Sequence, residues 1–164
     1  MKSLIDFLAK SIATGLGTGF FPLGPGTAGA FLAVVIYVAY VEYNVPQNIL
    51  TFNEHLLLLI VIIITFIIGV WSANRVEKEY GHDASYVVVD EMIGVWIALL
   101  CIPFTPIYII SAFILFRFFD ILKPLGIRKM ESLPRGWGVM MDDVLAGIYA
   151  NLILQIAQLV VPYV

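Results

Sequence analysis

The sequence predicts an all-α integral membrane protein, a compact bundle of about five transmembrane helices plus an N-terminal amphipathic helix on the membrane surface. Three observations carry that prediction. Hydrophobic residues make up 61% of the 164 residues and charged residues 13%, with a mean hydropathy of +0.97; soluble domains average about 45–50% apolar and about 25% charged. Several apolar runs approach the ~20 residues that cross a hydrocarbon core. When five crossings are drawn, every basic residue falls on one side of the membrane.

The elements follow in order. In MKSLIDFLAKSIATGLG, Leu4, Ile5, Leu8 and Ile12 keep helical spacing. Asp6 and Lys10 interrupt the run, so it reads as an interfacial helix rather than a cleavable signal. The first crossing runs from about Thr27 to Tyr43 and the second from about His55 to Asn74. The uncharged stretch Met92–Phe116 is broken by CIPFTP, where Pro103 and Pro106 remove backbone donors. It reads as a hairpin of two short helices, about Val87–Ile102 and Pro106–Leu122, and the last crossing covers about Val139–Val161. Four crossings are the alternative, with the proline-broken pair as one kinked or re-entrant segment.

Charge placement favours five. The nine Lys and Arg residues then share one face with ten of the twelve acids, and only Glu42 and Glu54 lie opposite. That face is cytoplasmic by the positive-inside rule, with the N-terminus in and the C-terminus out; four crossings would put basic clusters on both faces. The chain reads as a single membrane-embedded domain, 1–164, with no internal repeat or linker. A net charge of −3 gives no reason to expect a nucleic-acid partner, and nothing sets the oligomeric state. The single cysteine, Cys101 in ALLCIPF, precludes an internal disulfide and reads as a small buried hydrophobe.

Four polar segments fall on the charged side. TGLGTGFFPLGPGTAGA is glycine-rich; its backbone can turn N–H groups toward an anion, with Thr27 capping the next helix, or it is a plain hinge. No Gly-Lys-Ser/Thr follows, so it is not a Walker A loop. NRVEKEYGHDASYVVVDEMIG places Asp90 and Glu91 in an oily run, where ionisable groups are functional by default unless they still lie at the solvated interface. His82 beside Asp83 reads as a proton carrier or a polar loop residue. In RFFDILKP, Arg117, Asp120 and Lys123 form one helical stripe, either a salt-bridge ladder or a site in which Asp120 serves a metal and the cations a phosphate. LPRGWGVMMDDVLAG brings Arg135 and the adjacent Asp142 and Asp143, which point about 100° apart on a helix and cannot both cap it.

Asp90, Glu91, Asp120, Asp142 and Asp143 would repel one another in a low dielectric, and a hard divalent cation resolves this. Oxygen donors with no cysteine and few histidines suit Mg²⁺ better than zinc. Arg117, Lys123, Arg135 and the glycine loop (Gly24, Gly26 and Thr27) suit a phosphate, which points to metal-assisted phosphoryl chemistry. Other routes lack their motifs. No cysteine stands ahead of an arginine at thiolate-phosphatase spacing, and neither the DxDx[TV] nucleophile of the haloacid dehalogenases nor the CDP-alcohol phosphotransferase pattern is present.

GTGFFPLGPGTAGA, VVVDEMIG, FRFFDILKPLGI and RGWGVMMDDVLAG resemble, in that order, the blocks of the phosphatidylglycerophosphatase A family, over about Gly15–Gly147. The resemblance implies a Mg²⁺-dependent phosphatase of the bacterial cytoplasmic membrane, which hydrolyses phosphatidylglycerol phosphate, a phospholipid held in the bilayer. The family's acidic positions fall on Asp90, Glu91, Asp120, Asp142 and Asp143. In the division of roles favoured here, Asp90, Asp120 and Asp142 hold one or two Mg²⁺, and Glu91 or Asp143 orients water or completes the shell. Arg117, Lys123 and the loop amides hold phosphate oxygens; a phospho-aspartate route stays open. The alternative function is a cation- or proton-coupled transporter using the intramembrane carboxylates.

Overall fold

A computed structural model describes residues 4–80 and 86–160. Gly81, His82 and Asp83 lie outside the described residues. Every regular element among those described is helical. The helices are α1 (Leu4–Ala13), α2 (Pro25–Asn44), α3 (Phe52–Tyr80), α4 (Val89–Leu99), α5 (Pro106–Leu122), α6 (Ile127–Met130) and α7 (Gly136–Val160), with short 3₁₀ turns at Thr18–Phe20 and Pro46–Asn48.

Three helices, α2, α3 and α7, are long and apolar enough to cross a membrane. The other two expected crossings are shorter. At 1.5 Å per residue, α4 with 11 residues spans only about 17 Å and α5 with 17 residues about 26 Å. Proline bounds explain α5, whose first residue is Pro106 and whose C-cap, Lys123, stands before Pro124. Glycine sets the start of α7 earlier than expected, at Gly136: a side chain there would strike the Val70 carbonyl, and its N–H donates to Asn74 Oδ1 at 2.9 Å. Asp142 and Asp143 therefore lie inside the helix rather than at its cap.

The short helix α4 is the centre of the bundle. It packs against α2, α3, α5 and α7, and nearly all of its residues are buried. Trp96 Nε1 donates to the Ala33 carbonyl of α2 at 3.0 Å. Against α7 it runs parallel at a constant register. Gly94 meets Gly147 backbone to backbone, and one turn further on the Asn151 amide, 53 residues along the chain, donates to the Ala98 carbonyl at 3.1 Å. The end of α4 is held by the same helix: Asn151 Nδ2 and Gln155 Nε2 donate to the Leu100 carbonyl, and Gln155 also reaches the Cys101 carbonyl. The last carbonyls of a helix have no partner within it, and these side chains supply one. The Cys101 N–H points at His55 Nδ1, 3.3 Å away, so α4 and its extension reach the level at which α3 begins. Cys101 itself is exposed, not buried as expected; it occupies a left-handed turn, φ 57°, outside the packed helix.

α1 forms as expected from its periodicity, tied to α3 by Asp6 and Arg75 at 2.6 Å, with Leu4, Phe7 and Leu8 exposed.

An added methyl at Gly147 falls on the Gly94 carbonyl. Overpacking costs about 1–3 kcal/mol and should outweigh the ~1 kcal/mol of helix propensity gained. Gly147→Ala should therefore lower the Tm in detergent, read by circular dichroism; an unchanged or higher Tm would refute the close contact.

Candidate active site

The α4–α7 register that joins Gly94 to Gly147 places Asp90 beside Asp143, each one turn nearer the helix starts. Asp90 lies in the first turn of α4 and Asp143 seven residues into α7, about 10 Å along the axis from Gly136. Both are buried, at 7% and 3% exposure, as is Asp142 at 5%. Asp90, Glu91 and Asp143 each place one carboxylate oxygen within 4.8 Å of the others. Asp120 enters from the last turn of α5, in electrostatic contact with Asp143.

The cations divide the remaining acids. Arg117 Nη1 lies 2.6 Å from Asp120 Oδ2, one turn apart on α5. Lys123 Nζ contacts Asp142 Oδ2 at 2.5 Å and Glu131 Oε1 at 2.7 Å. Lys123 adopts a left-handed conformation, φ 46°, at the α5 C-cap. This is uncommon outside glycine and turns the chain toward α6. Burial alone would push its ammonium toward the neutral form, but the hydrogen bonds and charges of Asp142 and Glu131 outweigh that, so its pKa is raised. Glu91 Oε2 and Asp142 Oδ1 are buried and have no hydrogen-bond partner among the described residues; the same is true of Arg117 Nε.

These groups line one cavity of about 460 Å³, closed on another side by Gly24, Pro25 and Gly26. Gly24 is the N-cap of α2, with φ 111°. Pro25 has no N–H, and the Gly26 and Thr27 amides fall among the orphan donors of a helix start, whose positive end faces the acids. Gly26 has a second role: a Cβ there would collide with Glu91 Oε1 and come within 3.1 Å of Arg117 Nη1. Only glycine lets the helix start sit against that pair.

The structure thus brings together all five predicted carboxylates, with Arg117, Lys123, Gly24 and Gly26. Thr27 and Arg135 are not among the residues that line the cavity. Thr27 is exposed on α2, where Gly24 and not Thr27 is the cap. Arg135 is exposed just before α7, φ 56°. The grouping of acids also differs from expectation: Asp143 and Glu91 join Asp90, while Asp120 and Asp142 take the cations. Glu131 was missed. It lies eight residues beyond Lys123, and only the left-handed turn and α6 fold it back, so no local spacing marks it.

Among the lining residues six carboxylates face two cations, an imbalance that suits a hard divalent cation held by oxygen donors. The Glu91 and Asp142 oxygens that lack donors are consistent with that fit. Two cations and a helix start among the same lining residues suit a phosphate.

Comparison with known proteins identifies the family. The family model described as phosphatidylglycerophosphatase A matches residues 11–158. A Bacteroides thetaiotaomicron protein provisionally named phosphatidylinositol-3-phosphatase is 49% identical over 95% of this chain and 97% of its own length. Proteins named phosphatidylglycerophosphatase A from Haemophilus influenzae and Escherichia coli are 37% and 32% identical, each over 87% of this chain and over 84% and 79% of their own lengths. No solved structure matches. With the five expected acids gathered around one cavity, the chain belongs to the phosphatidylglycerophosphatase A family and is a phosphatase.

Proposed function

We propose that this phosphatase hydrolyses phosphatidylglycerol phosphate to phosphatidylglycerol and phosphate, at a Mg²⁺-dependent site on the cytoplasmic face of a bacterial cytoplasmic membrane. The observation that carries this reading is the meeting of Asp90, Glu91 and Asp143 in a cavity walled by Arg117, Lys123 and the start of α2. Family membership favours it over a transporter.

Asp90, Glu91 and Asp143 would hold the ion, with Asp120 and Asp142 within reach of the same cavity. When bound, it supplies neutralisation of phosphoryl charge and acidification of water. The chain's own groups do the rest. Arg117 and the α2 amides orient the phosphoryl oxygens, and Gly26 keeps that wall close to Glu91. Among the described residues, Glu91 Oε2 and Asp142 Oδ1 are buried carboxylate oxygens without a hydrogen-bond partner, so they are suited to orient water for in-line attack. Lys123, held by Asp142 and Glu131, is placed to stabilise charge on a departing or transferred oxygen.

Asp90→Asn and Asp143→Asn should each lower kcat about 10²-fold or more, the scale of a lost acid–base or electrostatic group, with the Tm retained. Activity in wild-type protein should fall with chelation and return with Mg²⁺. Near-wild-type turnover in either variant, or turnover indifferent to chelation, would refute the site.

One comparison favours a second headgroup: the relative at 49% identity bears a phosphoinositide phosphatase name. Both lipids present a phosphomonoester. Phosphate release from vesicles carrying each lipid decides between them; the expected result is a higher kcat/KM for phosphatidylglycerol phosphate, and the reverse order would transfer the assignment.

The same reading takes α4 with its 100–105 extension, and α5, as the third and fourth crossings, with the N-terminus in and the C-terminus out. The exposed Cys101 should then react with a membrane-impermeant maleimide from outside intact cells stripped of their outer barrier. Labelling only after the cells are opened would invert the topology.

A further inference from the structure

Gly24 lines two hollows. One is the carboxylate cavity; the other is a groove of about 430 Å³ on the outside of the bundle, between the Thr18–Phe20 turn, α2 and α5. The groove walls include Phe21, Leu23, Phe31, Val35 and Phe113. They are open to the surroundings: Leu23 is 87% exposed, Phe31 61% and Val35 45%. Thr18, one of the few polar residues there, spends its hydroxyl on the Thr14 and Gly15 carbonyls. Thr27, Phe31 and Val35 stand four residues apart, so they form one strip along α2. From Gly24 to Val35 the strip descends about 16 Å at 1.5 Å per residue, roughly half of the ~30 Å hydrocarbon core.

We propose that this groove seats one acyl chain of the lipid substrate, so that its phosphomonoester passes Gly24 into the carboxylate cavity while the chain stays in its own leaflet. The inference rests on the lipid-phosphatase reading above. The occupant follows from three facts together: the groove begins at the catalytic cavity, it is apolar to its far end, and its length is that of one leaflet. A chain entering it from lipid gains little from dehydration, because the bilayer is equally apolar. The groove therefore acts by shape and contact, and what it gives the reaction is position. Thr27 belongs to this wall, which accounts for its place outside the phosphate cavity.

Filling the groove should block long chains selectively. Val35→Trp is compared with wild type on dioleoyl and dihexanoyl phosphatidylglycerol phosphate, with Ile63→Trp on the exposed face of α3 as control. The ratio of kcat/KM for the long over the short substrate should fall at least tenfold in Val35→Trp and hold in Ile63→Trp. An unchanged ratio, or the same fall in both, would overturn the groove. If Val35→Trp does not fold, wild-type protein answers by photolabelling. Phosphatidylglycerol phosphate and phosphatidylcholine, each with a diazirine in the acyl chain, are crosslinked and mapped. Labelling of the α2 strip in excess of α3 by the phosphomonoester lipid alone supports the proposal; equal labelling of both surfaces by both lipids overturns it. Wild-type protein that cleaves neither substrate would remove the functional reading, and the labelling pattern would still judge the groove.

Discussion

Two glycines in contact, Gly94 on α4 and Gly147 on α7, set the distance and register on which the site depends. With no side chain between them the helix backbones touch, as small residues allow in membrane bundles. One turn toward the helix starts, the same faces carry Asp90 and Asp143. One turn the other way, Asn151 reaches the Ala98 and Leu100 carbonyls. A single stripe of α7, Asp143–Gly147–Asn151, therefore supplies a carboxylate, a close contact and an end-cap at successive turns. The cap permits α4 to be short, since helix-end carbonyls left without partners are costly when they are away from water. A short α4 in turn starts deep, which carries Asp90 and Glu91 below the start of α7.

The depth makes the carboxylates a problem the fold solves only in part. Arg117 takes Asp120, and Lys123 takes Asp142 and Glu131. Asp90, Glu91 and Asp143 are left close together; oxygens within 4.8 Å repel by at least about 3 kcal/mol per charged pair at an effective dielectric of ~20. Nothing in packing requires this arrangement, and an apolar trio would stabilise the bundle more. Local rules broken without structural return mark sites kept for chemistry.

The same distinction decides what could be read from the sequence. Carboxylates in oily runs were legible one by one, because their cost is local and needs no partner to be noticed. Both ends of α5 were legible from Pro106 and Pro124, since proline acts on its own backbone. The start of α7 was not, because Gly136 is placed by Val70 and Asn74 on another helix. Hydropathy marks α4 as an apolar run, but its place on the buried axis of the bundle comes from packing against α2, α3, α5 and α7, which no local pattern announces. Thr27 and Arg135 had the right chemistry and segments but the wrong faces. Glu131 had the right face, reached through a left-handed turn at Lys123 that a non-glycine residue does not announce.

The charge of the cavity also constrains how substrate and cation depend on each other. A phosphomonoester brings about 1.5 to 2 negative charges into a space where six carboxylates already face two cations. Arg117 is partly committed to Asp120 and Lys123 to two acids, so with its acids ionised the cavity alone would repel a phosphomonoester. A divalent cation held by the acids, as proposed above, would reverse that sign. The effect would be mutual: whatever factor the cation contributed to lipid affinity, the lipid would contribute to cation affinity. On that proposal the site would bind its two ligands cooperatively as a matter of electrostatics, with no conformational change required. The burial that makes the ionised trio unfavourable by itself would also keep that coupling from being screened by salt.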